Sequence, residues 1–486
     1  MLYAVSCAPG ALWQDSGMFQ YRVWNNDIEG GLGLALAHPL YFLILGFVKQ
    51  IHLGEFAYRV NLFSAVCGAF TIANLFFLVR LWLGKVIPAV VTAVSLALCW
   101  TFWQHSVIAE VYTFYTAIFS VELVVLFTFI KTGRSVFLYL LGLFNGLSIA
   151  VHMWGVLPLA CYFVLLAAYL IKKKINLPQI FVFFLAWLIG ISPYLYLIIK
   201  HLIQTKDLSG TIASALWGTS WSGSVFNTSV TLRMVLENIA FILYSFCTPN
   251  FLLLFAGVWA IYKISKEKTF AIIVLALFLM FLVFAFRYKV PDRYAFFIPF
   301  YCLAAIFLGL GSYCLFTEYG SKSSKIIVLL FAFIPILIYW IVPVEAEKMK
   351  INIGTKRSIP YRNDYTYFLR PWQDGNHGPE LFAQEALRNV EKDAVIFADG
   401  TTVYALWYQQ QVKDVRKDVK IISDHGDYKS PLPLPTKETI NELLSQNELY
   451  VVSPVEGYCP KFLLDSFNFE KKGALYKVIP RETGKP

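Results

Sequence analysis

From Ala57 to Val342 the chain alternates long apolar runs with short charged breaks. Nearly every run is long enough to cross a hydrocarbon core, which takes ~20 helical residues. The pattern predicts ten helical spans, over 57–83, 86–104, 111–131, 136–152, 154–171, 178–199, about 236–263, 269–286, 294–315 and 325–342. Before them lies a polar, loop-like stretch, "APGALWQDSGMFQYRVWNNDIEGG", and then the apolar "GLGLALAHPLYFLILGFVKQIHL". After Pro343 the pattern changes to that of a soluble domain. The runs "DAVIFADG", "DVKIISD", "ELYVVSP" and "ALYKVIP" read as short β-branched strands, and "TTVYALWYQQQV" between the first two reads as a helix. Strand, helix and strand in that order predict a small α/β domain with a parallel pair. The fold class is therefore an α-helical polytopic membrane protein, residues 1–342, with a C-terminal α/β domain, residues 343–486.

Composition agrees and charge adds an orientation. The chain is 58% hydrophobic and 15% charged, with a mean hydropathy of +0.59, outside the range of soluble domains. Residues 343–486 hold equal numbers of acidic and basic side chains, so the whole net +10 belongs to the first 342 residues. A basic excess confined to membrane loops sets topology and gives no sign of a nucleic-acid partner. Arg80 and Lys85, Lys131 and Arg134, Lys172–Lys174, Lys263 with Lys266 and Lys268, and Lys322 with Lys325 fall on one side if the spans alternate. By the positive-inside rule that side is the cytoplasm.

The opposite side then receives 8–56, the turn at 104–111, His152 to Trp154, the loop 201–230, the turn 287–293 and the C-terminal domain. This predicts a multi-pass protein of the cell (inner) membrane with its C-terminal domain on the exterior, or periplasmic, side. If the apolar stretch after Gly31 crossed the bilayer, every later Lys cluster would flip outward. It is expected instead to lie in the interface as a surface or re-entrant helix. The opening "MLYAVSCA" is too short to cross, and an exterior start without a signal peptide predicts a further transmembrane helix ahead of the first exterior loop.

Seven of the eight Cys lie in or beside apolar runs, where Cys acts as a small hydrophobe. The seven His are scattered without metal-ligand spacing. The sequence names no cofactor and leaves a metal requirement open. Candidate chemistry gathers on the predicted exterior face in four clusters. They are Asp15 with Asp27, Glu29 and His38; His105, Glu110 and Tyr112 in "FWQHSVIAEVYTFY"; His152 in "NGLSIAVHMWG"; and Arg287, Lys289 and Arg293 in "FRYKVPDRYAFFIPFY". Singly, each has a structural reading: loop acids are often solvated, and basic residues at span ends often snorkel to the interface. Together, acids and bases on one face suit an anionic lipid head group, because the Arg fork bonds phosphate oxygens in pairs. Glu122 falls inside a span, where an ionisable group is rare, with Asn74 or Asn145 as conceivable partners. Asp399-Gly400 at a strand end reads as a turn.

The order "APG…DSG…HPLY", "FWQHSVIAEVYTFY", "GLSIAVHMWG" and "ISPYLYL" resembles the multi-pass family that includes a protein O-mannosyltransferase, within the GT-C superfamily of lipid-sugar-dependent glycosyltransferases. The likeness runs over most of residues 1–200 and continues weakly through "DRYAFFIPFY" and "LWYQQQVKDVRKDV". It implies a GT-C-like bundle whose first exterior loop bears an essential Asp, carried over to Asp15. It also implies a polyprenyl-phosphate sugar donor (a mannose-like hexose favoured), attacked at C1 by a protein or glycan hydroxyl. Two departures stand out: Met18 occupies a position where the family has an acid, and His38-Pro39-Leu40 replaces "HPPG". In this reading Asp15 and Glu110 are catalytic, Arg293, Arg287, Lys289 and His152 hold the donor phosphate, and His38, His105 and Tyr112 bind substrate. Arg293, at a span start, is expected to matter more than Arg287. Two other classes remain to be weighed. A transporter or flippase would place ionisable groups near mid-membrane, often with inverted repeats, and an assembly protein would need no acid–base cluster.

Overall fold

The computed structural model describes residues 1–218, 221–263, 267–318, 320–423 and 447–481, with 436, 438, 440, 442 and 444. Lys266 and most of the stretch after Ser423 lie outside them. Among the described residues, seven helices are long and apolar enough to cross a membrane: Phe56–Leu83, Tyr112–Thr132, Met153–Ile171, Leu177–Thr205, Lys268–Arg287, Arg293–Thr317 and Lys322–Lys348. Three predicted spans differ from this set. Ser135–Val151 is apolar but shorter. The 86–104 stretch breaks at Leu98 and Cys99 into Val86–Ala97 and the aromatic Trp100–His105. The Leu98 carbonyl accepts the Tyr339 hydroxyl at 3.0 Å. The 236–263 stretch is bent by 115° between Leu232–Ser245 and Pro249–Ile261. Thr248 is extended there, and Pro249, which has no N–H to continue a helix, opens a new turn capped by the Thr248 side chain.

Small residues set how closely the helices approach. Ser135–Val151 and Leu177–Thr205 touch backbone to backbone at Gly146 and Gly190. A Cβ on Gly146 would stand 2.3 Å from the Trp187 carbonyl, and one on Gly190 would stand 2.2 Å from that of Leu143. A buried polar knot fixes the same region. Glu122 accepts from Asn145 Nδ2 at 3.1 Å, from the Tyr162 hydroxyl at 2.9 Å and from the Ser148 hydroxyl. Asn145 also donates to the Gly155 carbonyl at 3.0 Å, while Asn74 donates instead to Ser120. With every oxygen of the carboxyl engaged, Glu122 ties Tyr112–Thr132 to the turn that follows His152.

The polar opening segment folds as a helix, Gln14–Trp24, and the apolar stretch behind it as Pro39–Lys49, too short to span. Met18, Phe19 and Val23 are buried, Phe19 against His38, Tyr41 and Phe42, while Gly17 and Tyr21 meet the C-terminal domain. Trp13 meets Phe382 at 5.4 Å between ring centroids, Tyr21 meets Trp407 at 5.1 Å, and the Tyr408 hydroxyl donates to Glu55. Pro343, where the pattern turns from apolar to mixed, stands inside Ile334–Lys348, which runs on to Lys348.

Beyond it is a five-stranded sheet in the order β2-β1-β3-β5-β4, with β1 (Val395–Phe397), β2 (Lys420–Ile422), β3 (Leu449–Val451), β4 (Phe467–Lys472) and β5 (Leu475–Pro480). β1 runs parallel to β2 and β3, with Val403–Gln411 as the crossover helix from β1 to β2. β4 and β5 form an antiparallel hairpin, closed at Gly473 with φ of +59°.

Candidate active site

Asp15 and Ser16 sit at the first turn of Gln14–Trp24. Gln14 takes a left-handed backbone with φ of +53°, unusual for a residue with a side chain, and its N–H donates to the Thr401 carbonyl of the sheet domain at 3.1 Å. Asp15 is exposed, whereas Ser16 is buried and donates its hydroxyl to Glu110 Oε1 at 3.0 Å. The two predicted catalytic acids therefore meet through one serine. Glu110 follows Trp100–His105, with its N–H on Ser64 Oγ at 3.3 Å. Burial pushes its carboxyl well above the ordinary range, and the neighbouring Asp15 and Asp292 charges push the same way against the Ser16 hydrogen bond. Asp292, raised by its own burial, is a third acid at this centre, and the sequence reading passed it over as part of a proline turn.

The other opening acids have structural partners. Asp27 lies 3.8 Å from the buried Arg22 guanidinium and accepts the N–H groups of Glu29 and Gly30. Glu29 bonds Lys200 at 2.7 Å. Arg22 in turn donates to the Ala37 carbonyl at 3.0 Å and lies over the Phe42 ring, which fixes the approach to His38.

His38, His105, Tyr112 and His152 come together as a chain of rings. His38 and His152 stack at 5.2 Å, Tyr112 lies 5.1 Å from Trp154, and His105 meets Tyr112 at 5.4 Å and Tyr294 at 5.6 Å. His38 donates Nδ1–H to the Val151 carbonyl at 2.7 Å, and His105 donates to that of Thr101 at 2.8 Å. His152 Nδ1 accepts from the Trp154 N–H at 3.1 Å. Burial drives His38 down to about 3 and His105 to about 4, and lowers His152 as well, so all three are neutral at physiological pH. They supply shape and hydrogen bonds here, not positive charge. His38, Tyr112, His152, Trp154, Trp217 and Phe296 line a mostly apolar cavity of about 290 Å³.

The basic residues divide. Arg293 Nε donates to Asn238 Oδ1 at 3.0 Å and its Nη2 pairs with Glu237, so it already has a carboxylate. Arg287 donates Nη2 to the carbonyl of Val225, itself on the wall of the apolar cavity with Phe284 and Tyr288. Its buried Nε has no hydrogen-bond partner among the described residues. Lys289 is exposed beside it.

Close to the acids is a second cavity of about 420 Å³, lined by Gln14, Trp100, Asp292, Tyr294, Arg357 and Arg362. The sheet domain and its preceding segment supply the two arginines, which sequence reasoning missed. Arg357 pairs with Asp399 at 2.6 Å and lies over Tyr458, which gives Asp399 a structural role.

Residues 34–177 match the family described as protein O-mannosyl-transferase TMEM260 N-terminal domain, and residues 380–425 match TMEM260-associated domain 2. No curated protein matches the chain by sequence. In structure the chain is similar to ArnT from Cupriavidus metallidurans bound to undecaprenyl phosphate, with a TM-score of 0.66 at 11% identity, over 98% of this chain and 95% of that one. The apo state of the same protein gives 0.64 at 12% identity, over the same shares. At such identities the likeness is one of fold. The fold is that of the GT-C membrane glycosyltransferases, and over the matched segments the chain resembles the family that includes protein O-mannosyl-transferase.

Proposed function

We propose that the protein transfers a sugar, a mannose-like hexose favoured, from a polyprenyl-phosphate donor to an acceptor hydroxyl on protein. Residues 1–342 would form the transferase body and 343–486 a domain over its exterior face. The observation that carries the reading is the position of the acids: Asp15, Glu110 and Asp292 lie close to an apolar cavity with Arg287 beside it and to a second cavity, under the sheet domain, whose mixed wall carries Arg357 and Arg362. The undecaprenyl phosphate bound by the structurally similar ArnT supports a prenyl donor. The isoprenoid chain would occupy the apolar side among His38, Tyr112 and His152, with its phosphate on Arg287 and Lys289. The acceptor would enter from the side of Arg357 and Arg362.

Asp15 is the base in this scheme. The acceptor oxygen bonds C1 of the sugar while the bond from C1 to the phosphate oxygen breaks. The hydroxyl proton passes to Asp15 and the electron pair leaves on the lipid phosphate. General-base help of this kind is worth roughly 10²–10⁴-fold. Glu110 holds its proton and orients Ser16 and the Asp15 turn, which leaves Asp15 as the acceptor of the proton. Arg287 stabilises the charge growing on the phosphate in a dry setting, where such donors act most strongly. The transporter reading is disfavoured because Glu122, the acid within a span, is fully hydrogen-bonded.

Purified protein incubated with a panel of polyprenyl-phosphate sugars and a hydroxyl-bearing peptide tests the proposal. Release of polyprenyl phosphate with glycosylated peptide is expected from at least one donor. Binding of the donors without turnover on any peptide or glycan acceptor would refute it.

A further inference from the structure

Between Tyr361 and Gly378 is a separate polar cavity of about 310 Å³, lined among others by Arg362, Arg370, Asn363, Thr366, Tyr367 and Asp374. The amides on its wall are used internally: Asn363 Nδ2 donates to Glu347, and Gln373 Nε2 to the Tyr367 and Arg370 carbonyls. The guanidinium groups each keep a buried donor to spare. Arg362 bonds Asp364 through Nε at 2.6 Å and is only 6% exposed, yet its buried Nη1 has no partner among the described residues. Arg370 has a buried Nε in the same state, and its charge lies over the Trp340 and Trp372 rings, 5.4 and 5.9 Å from their centroids. Rings orient a guanidinium without accepting its N–H bonds in the plane. A buried charged donor without an acceptor is expensive, so two beside one cavity call for an anion. Asp374, exposed at the rim, does not reach either group within ion-pair distance.

We propose that this cavity binds an anionic group, a phosphate or a carboxylate, carried by the sugar acceptor. The proposal rests on the transfer reading above and names the acceptor's class. Two features join the cavity to the acids. Arg362 also lines the 420 Å³ cavity that holds Gln14 and Asp292. Gln104, from the Trp100–His105 helix, donates to the Tyr367 carbonyl at 3.3 Å. An acceptor anchored at Arg362 and Arg370 would extend its hydroxyl toward Asp15.

The test is calorimetric titration of the full-length protein in detergent, first saturated with decaprenyl phosphate so that the donor side is filled, with inorganic phosphate in one arm and sodium acetate in the other. Saturable binding in at least one arm is expected, weakened about tenfold or more in Arg370→Gln, while decaprenyl phosphate binds that variant as it binds wild type. The arm that responds identifies phosphate or carboxylate as the preferred group. Arg362→Lys, which keeps the charge and loses the fork, should weaken binding less and guards against misfolding of the first variant. No saturable binding in either arm, or equal binding in wild type and Arg370→Gln, would overturn the proposal. If sugar transfer fails while this binding persists, the fault lies with the transfer reading instead.

Discussion

Two cavities lie close to the same three acids and differ in the charged groups on their walls. One is lined by Trp154, Trp217, Phe296, Tyr112 and the neutral rings of His38 and His152, with Arg287 bonded to Val225 of its wall. The other, beneath the sheet domain, sets Gln14, Asp292, Arg357 and Arg362 among apolar residues such as Trp100, Phe241 and Phe368. A water-soluble sugar transferase has no use for the first, and a lipid carrier has no use for the second. On the proposed reading, their meeting near Asp15 and Glu110 puts the chemistry at a boundary, where a lipid-borne group would be handed to its acceptor.

The strongest way to break that comparison is to disable the boundary and leave both cavities intact. Asp15→Asn keeps the size of the side chain and cannot take a proton. We expect kcat to fall by ~10² or more, with expression and donor binding nearly unchanged. Single-turnover transfer measured beside donor binding checks this. A variant that transfers at the wild-type rate would move the base elsewhere. Asp27 and Glu29 are then poor substitutes, since Arg22 and Lys200 already hold them.

Next in size is the contrast between two arginines at either end of one turn. Arg287→Gln should raise the donor KM about tenfold or more, the value of a charge-assisted bond to phosphate, with little change in melting temperature. Arg293→Gln should do the reverse: it removes one of the two arginines on Glu237 and the bond to Asn238, and should lower the melting temperature while the KM stays within a few-fold of wild type. Exchanged outcomes would restore the order expected from sequence, in which Arg293 leads.

That exchange shows what the sequence could carry. The bundle, the parallel pair in the sheet domain and the clustering of Asp15, Glu110, His38, His105, Tyr112 and His152 follow from local pattern and from the alternation of loops. Hydrophobic runs and Lys breaks are written residue by residue. Which arginine is free is not, because the answer depends on Glu237, distant in the chain. The opening helix was illegible for the same reason: its Tyr21 face is covered by Tyr404 and Trp407, far downstream, and Phe19 by Tyr41 and Phe42 of the next helix. "FNFEKK" was missed as a strand because its alternation places charges on an exposed edge beside β5. Asp292 looked like turn chemistry until its burial beside Glu110 was seen.

A smaller effect sharpens the apolar side alone. Leu157 lines the 290 Å³ cavity, and Leu157→Trp would fill part of it. If the isoprenoid lies there, the variant should lose a few-fold in kcat/KM for long-chain donors and less for a two-isoprene analogue, since each buried methylene is worth ~0.8 kcal/mol. Equal losses for both lengths would place the chain on another surface of the bundle.

The smallest expected effect is in pH, and it separates the two sides by sign. His38, His105 and His152 are held below their ordinary value by burial. The unfolded chain therefore binds their protons first. The stability tied to them is present above pH ~6.5 and is lost as pH falls toward the values of about 3 and 4 held by His38 and His105. Glu110 is displaced the other way, so the folded protein keeps a proton that the unfolded chain gives up near pH ~4.3, and stability declines as pH rises from there toward the raised value. In catalysis the loss of that proton puts a second negative charge beside Asp15 and the departing phosphate, so the rate should fall on the alkaline side. Glu110→Gln cannot lose a proton. It should cost a few-fold at neutral pH through the altered bond to Ser16, and it should flatten the alkaline limb of the pH–rate profile. An alkaline limb unchanged in Glu110→Gln would assign it to another group at the centre, with Asp292, raised by its own burial, the first to examine.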